Sequence, residues 1–306
     1  MFNKSQRIFF EQSSANGILL FRETSAIICT YGSRILEIPV NQDIYAEKYK
    51  GIRLMLNVLT CALSGGYVNF GVFALYDDKA LQNALDVSLQ MCLQIPLDDI
   101  LTYMKLSKAY FGFLEVLMKG HLDVLCGLDS SVFITLIKTL HEGLQSSGRD
   151  PPLTLILMLI DSSLIVDAAV CALCATAIDH LFTYMFLNQR RDKPTIQLIR
   201  QHITAEPDLP DQLMATLFNT LLFATQANHW AITRPILSLM LSFESSFRTY
   251  QNSLLQNQPV ENQQKLMEEF EKLTNDIQTS VETSNRDRFT QKLTLFRLSV
   301  RQFLAF

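Results

Sequence analysis

Cys171 and Cys174, one helical turn apart, with Asp179 and His180 close behind, form the nearest thing in this chain to a metal-binding motif. A structural zinc site takes four ligands, usually from two such pairs. The sequence has no second Cys-x-x-Cys, and the residues around this one are apolar with helical periodicity. The pair therefore reads as two core thiols. His121, His141, His180, His202 and His229 are scattered, and none lies in a His-Glu-x-x-His. Each reads as a cap, a surface group or a satisfied partner at the edge of the core.

The acidic pairs Asp77-Asp78 and Asp98-Asp99 are the residue type that all-α terpene cyclases use to hold magnesium and diphosphate. Those sites add a third aspartate one turn on; here the positions hold Leu81 and Thr102. Both pairs stand where a helix N-cap is expected, and capping is the better reading. Gly65-Gly66 and Gly71 make no phosphate loop, because no Lys-Ser/Thr follows at the required spacing. Gly-x-Ser-x-Gly is absent too. No catalytic, cofactor-binding or metal residue is assigned, no cofactor is implied, and the expectation is a protein that is not an enzyme.

The elements that would position any site are helices. Ile18, Phe21, Ser25, Ile28 and Ile35 share one side of an expected helix over 17–36. Asp43 is placed to cap a second, with Ile52, Met55, Leu56, Leu59 and Leu63 inward, and Gly65-Gly66 ends it. Further helices are expected over 68–76, 79–95 and 98–120, then 121–128, and from Asp129 or Ser130 through Leu144. Residues 146–152, Ser-Ser-Gly-Arg-Asp-Pro-Pro, read as the clearest linker. The apolar run 153–160 is too short for a membrane span and is followed by Asp161. Helices follow over 164–187, 196–203 and from Asp211 through Leu222. Another opens at Asn228 and starts near Thr233 or kinks at Pro235. The last three are expected over 243–255, 260–281 and 285–303. No alternating strand pattern of useful length occurs.

Of the 306 residues, 48% are hydrophobic, enough for a large core. The net charge of −4 and the lack of a basic run argue against binding a phosphate backbone. Six cysteines spread through apolar helical pattern, without a secretory signal, suggest reduced, buried thiols in the cytosol or nucleus. The expected fold class is all-α: an α-solenoid of stacked antiparallel helix pairs, HEAT- or armadillo-like.

The wording of several stretches carries a resemblance. The residues Asn16-Gly17-Ile18-Leu19-Leu20-Phe21-Arg22-Glu23-Thr24, then Thr30-Tyr31-Gly32, then Ser64-Gly65-Gly66-Tyr67-Val68-Asn69-Phe70-Gly71, stand early in the chain. In order after them come Lys105-Leu106-Ser107 with Tyr110, Glu142-Gly143-Leu144, Asp179-His180, Thr183-Tyr184, and Trp230 with Arg234-Pro235. Asn252-Ser253 with Gln258-Pro259, and Asn285-Arg286-Asp287-Arg288-Phe289-Thr290-Gln291, complete the series. Together these resemble the C-terminal part of the exportin-7 and Ran-binding protein family, nuclear transport receptors of the importin-beta superfamily.

The resemblance implies residues 1–306 as one C-terminal HEAT-like helical repeat region. It also implies an inserted segment at 148–163, either a lineage-specific loop or a misplaced splice boundary. It implies export of protein cargo through the nuclear pore under Ran-GTP control, with shuttling between cytoplasm and nucleus. The implied partners are cargo, nucleoporins, and Ran-GTP through an N-terminal region of the full receptor that has no counterpart here. No nucleic acid or membrane insertion is implied. The alternative is a generic α-solenoid interaction scaffold with no Ran linkage. The charged turn at 285–291 reads as the start of a capping helix with a solvated outer face, with a cargo or intra-receptor contact as the sharper alternative.

Overall fold

The structure is a computed structural model that describes residues 15–39, 43–66, 68–145, 163–223 and 229–304. Among the described residues every regular element is helical and no strand occurs. They gather into two compact units, the first reaching Val116 and the second beginning at Leu117. The linker 146–152, the apolar run 153–160 and nearly all of the inserted segment lie outside the described residues.

In the first unit, α1 (Ala15–Glu37) buries Phe21, Ser25, Ile28, Gly32 and Ile35, the spacing of one helical face. It packs on α2 (Lys50–Ser64) and on α4 (Ala80–Leu93), with the short α3 (Gly71–Leu75) between those two in sequence. Two glycines permit the close approaches. A Cβ on Gly32 would meet the Val87 side chain at 2.4 Å, and one on Gly51 would come within 2.6 Å of Ile35 and closer still to the Tyr31 hydroxyl.

Asp43 caps as expected, its carboxylate accepting from the N–H groups of Tyr45 (3.0 Å) and Ala46 (3.1 Å). The helix then opens with a π-helical turn, Tyr45–Tyr49, that the sequence did not announce. Its wider ring turns Tyr49 inward, where the hydroxyl donates to Asp99 at 2.6 Å. Burial, then the Asp99 contact, hold that phenol well above its ordinary pKa. At the far end Gly66 is left-handed, φ 64°, a conformation that glycine adopts without steric cost.

Two expectations are corrected here. The helix expected over 98–120 is two helices, α5 (Leu97–Thr102) and α6 (Met104–Gly120), parted where Tyr103 takes an extended ψ of 90°. The Asp98-Asp99 pair does not cap α5. Pro96 is the capping residue, no side chain caps the helix, and both aspartates sit in its first turn. There their charge faces the positive end of the helix dipole.

In the second unit, α7 (Leu122–Cys126) leads into α8 (Ser130–Gln145). Then come α9 (Ser163–Asn188), α10 (Pro194–Ala205), α11 (Leu209–Phe223) and α12 (His229–Ser242). The chain closes with α13 (Glu244–Gln256), α14 (Val260–Thr274) and α15 (Thr283–Val300). Helices pair as α8 with α9, α11 with α12 and α14 with α15. The second members stack in a row, α9 on α12 and α12 on α15, while α8 packs on α11, and α13 links α11 to α14. This is the α-solenoid arrangement of stacked helix pairs.

The helix α9 is long and apolar enough to cross a membrane by length and composition. It is instead packed between α8 and α12, with Cys171, Cys174, Ile178 and Phe182 all buried. It also carries an ion-pair partner for α15, described below. Helix α12 runs through Pro235 from His229, rather than starting near Thr233. Helix α14 stops at Thr274, not at 281. Asn275 leaves the helix and Asp276 is left-handed, φ 59°. The Lys292 ammonium takes the carbonyls of Lys272 and Asn275, which the last turn leaves without intrahelical partners.

The centre of this unit is aromatic. Phe218 is fully buried, with ring centroids of Tyr250 at 4.7 Å, Phe247 at 5.9 Å and Phe296 at 6.5 Å. Phe218→Ala should destabilise the chain by about 3–5 kcal/mol, read as a lowered urea midpoint for the transition that buries Tyr250. Phe218→Leu should lose less than half of that.

Candidate interaction surface

The residues that stood out in the sequence divide into buried groups that tie helices together and exposed groups that face outward. The largest buried tie joins three of the quoted motifs. Arg286, in the first turn of α15, reaches Asp179 on α9 with one guanidinium nitrogen at 2.9 and 3.0 Å from the two carboxylate oxygens. The second terminal nitrogen donates to Thr183 at 2.6 Å, and Nε donates to the Val281 carbonyl at 2.8 Å. Thr183 in turn donates to Asp179. Both charged side chains are close to nine-tenths buried. Next to Arg286, the Asn285 amide accepts from Gln278 N–H and donates to the carbonyls of Gln278 and Ser280. The turn at 285–291 is therefore a brace for the loop before α15 as well as the start of a helix.

The same device recurs at other pairs. Thr233 on α12 and Thr290 on α15 share a buried hydrogen bond of 2.9 Å. His202 on α10 donates from Nε2 to the Cys126 carbonyl (2.9 Å). Its Nδ1 lies 2.8 Å from the Ser130 hydroxyl, and the ring stacks on Phe133. His141 on α8 lies 2.6 Å from the Thr216 hydroxyl of α11, and burial holds its pKa below the usual range. His121 is lowered for the same reason and stands at the N-cap of α7.

Cys171 and Cys174 are fully buried, and burial raises the Cys174 thiol well above its ordinary pKa. Among the described residues no group of three His, Cys, Asp or Glu side chains is placed to hold a metal ion. The acidic pairs serve different neighbours. Asp78 accepts from the Ala80 N–H and pairs with Arg22 across to α1; Asp77 is exposed beside Lys79; Asp99 belongs to Tyr49. The backbone bond from Ala80, then the Arg22 contact, lower the Asp78 pKa.

Outward-facing groups form two clusters on which a partner has something to grip. On α1, Leu20, Ile27 and Tyr31 are exposed, and on α2 so are Leu54 and Val58. A shallow pocket lies at Ile27, Thr30, Tyr31 and Arg34. In the second unit Trp230 is 60% exposed, with exposed Arg234 one turn on. Tryptophan and arginine are the residue types that dominate binding energy at protein interfaces. The outer face of α15, by contrast, is mostly polar, with Arg288, Gln291 and Thr294 exposed around Leu295 and Leu298. Sequence reasoning missed the α1 row because the core stripe alone was sought. The signal was present: residues 18–21 and 27–28 are apolar at more positions than one stripe needs.

Stacked helix pairs, internally braced and bearing exposed apolar and aromatic groups, define a helical-repeat protein of the α-solenoid class. The chain is 39% identical to exportin-7-B of Xenopus laevis over 97% of its own length. It is 36% identical to Ran-binding protein 17 of Mus musculus over 99%, and 28% identical to exportin-7 of Dictyostelium discoideum over 98%. Over almost its whole length the chain is thus similar to proteins named exportin-7 and Ran-binding protein, and the match is to the C-terminal portion of those longer proteins. The chain covers 27%, 27% and 28% of the three relatives' lengths, respectively. No family model matches it, and no solved structure matches it.

Arg286→Ala should cost about 3–5 kcal/mol, because it strands the Asp179 carboxylate in a dry site. The double change Arg286→Met with Asp179→Leu should recover most of that loss, read by urea denaturation. The histidines give a pH test. A lowered folded pKa means the unfolded chain binds more protons between that value and about 6.5. Stability due to His141 is thus fully present above about pH 6.5 and lost as pH falls through the folded value. The urea midpoint should drop between pH 7 and 5.5, and His141→Gln should flatten part of that drop.

Proposed function

We propose that this chain is the C-terminal portion of a nuclear transport receptor that exports protein cargo through the nuclear pore under Ran-GTP control. The observation that carries the reading is its kinship, over almost its whole length, with proteins named exportin-7 and Ran-binding protein. The architecture suits the role. Each helix pair contacts chiefly its neighbours, so a stack of them flexes by small rotations and offers a long surface to a folded partner. The receptor acts by binding rather than by catalysis and needs no cofactor. Its partners are protein cargo, nucleoporins, and Ran-GTP held by the N-terminal region of the full receptor. It binds no nucleic acid, inserts into no membrane, and shuttles between cytoplasm and nucleus.

The test is retention of Ran on immobilised protein. The 306-residue chain alone should not retain Ran loaded with a non-hydrolysable GTP analogue. A full-length receptor containing it should retain that form and not the GDP form. A full-length version indifferent to the nucleotide on Ran would replace the transport role with that of a scaffold unconnected to Ran.

A further inference from the structure

We propose that Thr279 is a phosphorylation site for an acid-directed protein kinase, and that Arg248, across the adjoining cavity, receives the phosphate. The acceptor is a hydroxyl in the loop 275–282, which joins α14 to α15 and lies outside both helices. Thr279 is exposed there. Its flanks are acidic: Asp276 stands three residues before it and Glu282 three after, and both are exposed. Residues 273–285 contain no Lys or Arg. A kinase with a basic substrate groove is complementary to such a segment, and one that selects arginine beside the acceptor is not. The neighbouring hydroxyls are worse placed. Ser280 is half-buried, and its hydroxyl accepts from the Glu282 N–H at 3.1 Å. Thr283 and Ser284 belong to the first turn of α15, a helical backbone that does not lie extended in a cleft.

The loop is held from one side. Its carbonyls at Asn275, Asp276, Gln278, Ser280 and Val281 accept from Lys292, Arg288, Asn285 and Arg286, all in the first half of α15. Asn285 fastens the residues on either side of Thr279. On its other side the loop meets α12 and α13. There Thr279 lines a cavity of about 430 Å³ together with Met240, Leu241, Phe247, Arg248 and Ile277. The acceptor and a guanidinium thus share one cavity, and the loop that carries the acceptor is fixed in place.

The kinase transfers the γ-phosphoryl group of MgATP to Thr279 Oγ1. The bond from that phosphorus to ADP breaks as the new one forms, and the hydroxyl proton passes to the catalytic base of the kinase. The product carries about −1.5 to −2 charge and three strong acceptor oxygens. Arg248 now pairs with Glu244, one turn before it on α13, with side chains 70% and 71% exposed. An exposed pair of that kind contributes little. A phosphate offers the guanidinium more charge and two parallel hydrogen bonds, so it displaces Glu244. The loop before α15 is then tied to α13 on one side as it already is to α15 on the other.

The 306-residue chain would be incubated with casein kinase II and MgATP, and the modified residues located by peptide mass spectrometry. Thr279 should be the main acceptor. Thr279→Ala should remove most of the incorporation, and Thr279→Ser should restore it. Hydrogen exchange across 275–282 should slow by about tenfold on phosphorylation. Arg248→Gln should abolish that slowing and leave incorporation unchanged. Both positions are exposed, so neither variant removes a buried contact. Incorporation that Thr279→Ala leaves unchanged would overturn the acceptor. Slowing that persists in full in Arg248→Gln, or no slowing at all, would overturn the role of Arg248.

Discussion

The second unit depends on covering α9. Most of its described side chains are apolar, spread around the whole circumference, and of them only Leu187 is exposed. A helix of that composition is stable in water only when neighbours take all of its faces. Helices α8 and α12 take most of them, and α12 in turn packs on α11 and α15. The two-layered stack follows from that one demand. Non-directional burial drives it, and each added pair passes the demand for cover to the next.

Burial alone does not choose the register in which helices meet, because apolar surface accepts many alignments. Polar groups placed inside the stack narrow the choice. Asp179, Thr183 and Arg286 satisfy one another only in one alignment of α9 and α15. Thr233 with Thr290, and His202 with Ser130 and the Cys126 carbonyl, impose the same condition elsewhere. A slip by one residue would leave these groups dry and without partners, at a cost that apolar contacts elsewhere would not offset. This accounts for the finding that motifs far apart in the chain converge on ties between helices. Asp179, Thr183 and Arg286 belong to three separate quoted stretches, and they form one contact.

The legible part of the fold was the part set by local spacing. Phe21, Ile28 and Ile35, or Leu266, Phe270 and Leu273, mark their faces because a 3.6-residue turn repeats within the helix itself. Caps and stops at Asp43 and Gly66 were legible for the same reason, since a cap is satisfied within three residues. Leu81, Leu85, Leu89 and Leu93 show the limit of counting. A step of four drifts around the helix, so Leu85 and Leu89 are buried while Leu93 is exposed.

The sequence by itself determined the helical class, most of the inward faces, four core cysteines and, through wording rather than spacing, the kinship. The expectation that all six thiols are buried fails at Cys61, which is exposed, and at Cys29, which is half-buried, because each lies off the covered face of its helix. Only the tertiary structure decided the π turn before α2, the break at Tyr103 and the early end of α14. Two of those meet a group distant in the chain: Asp99 for Tyr49, and Lys292 for the carbonyls closing α14. Exposure along α1, among the described residues, was decided in the same way. Ile27 and Ile28 are chemically alike and adjacent, yet one is buried and the other exposed. Spacing within a helix tells which residues share a face, but which face is covered depends on where other helices lie.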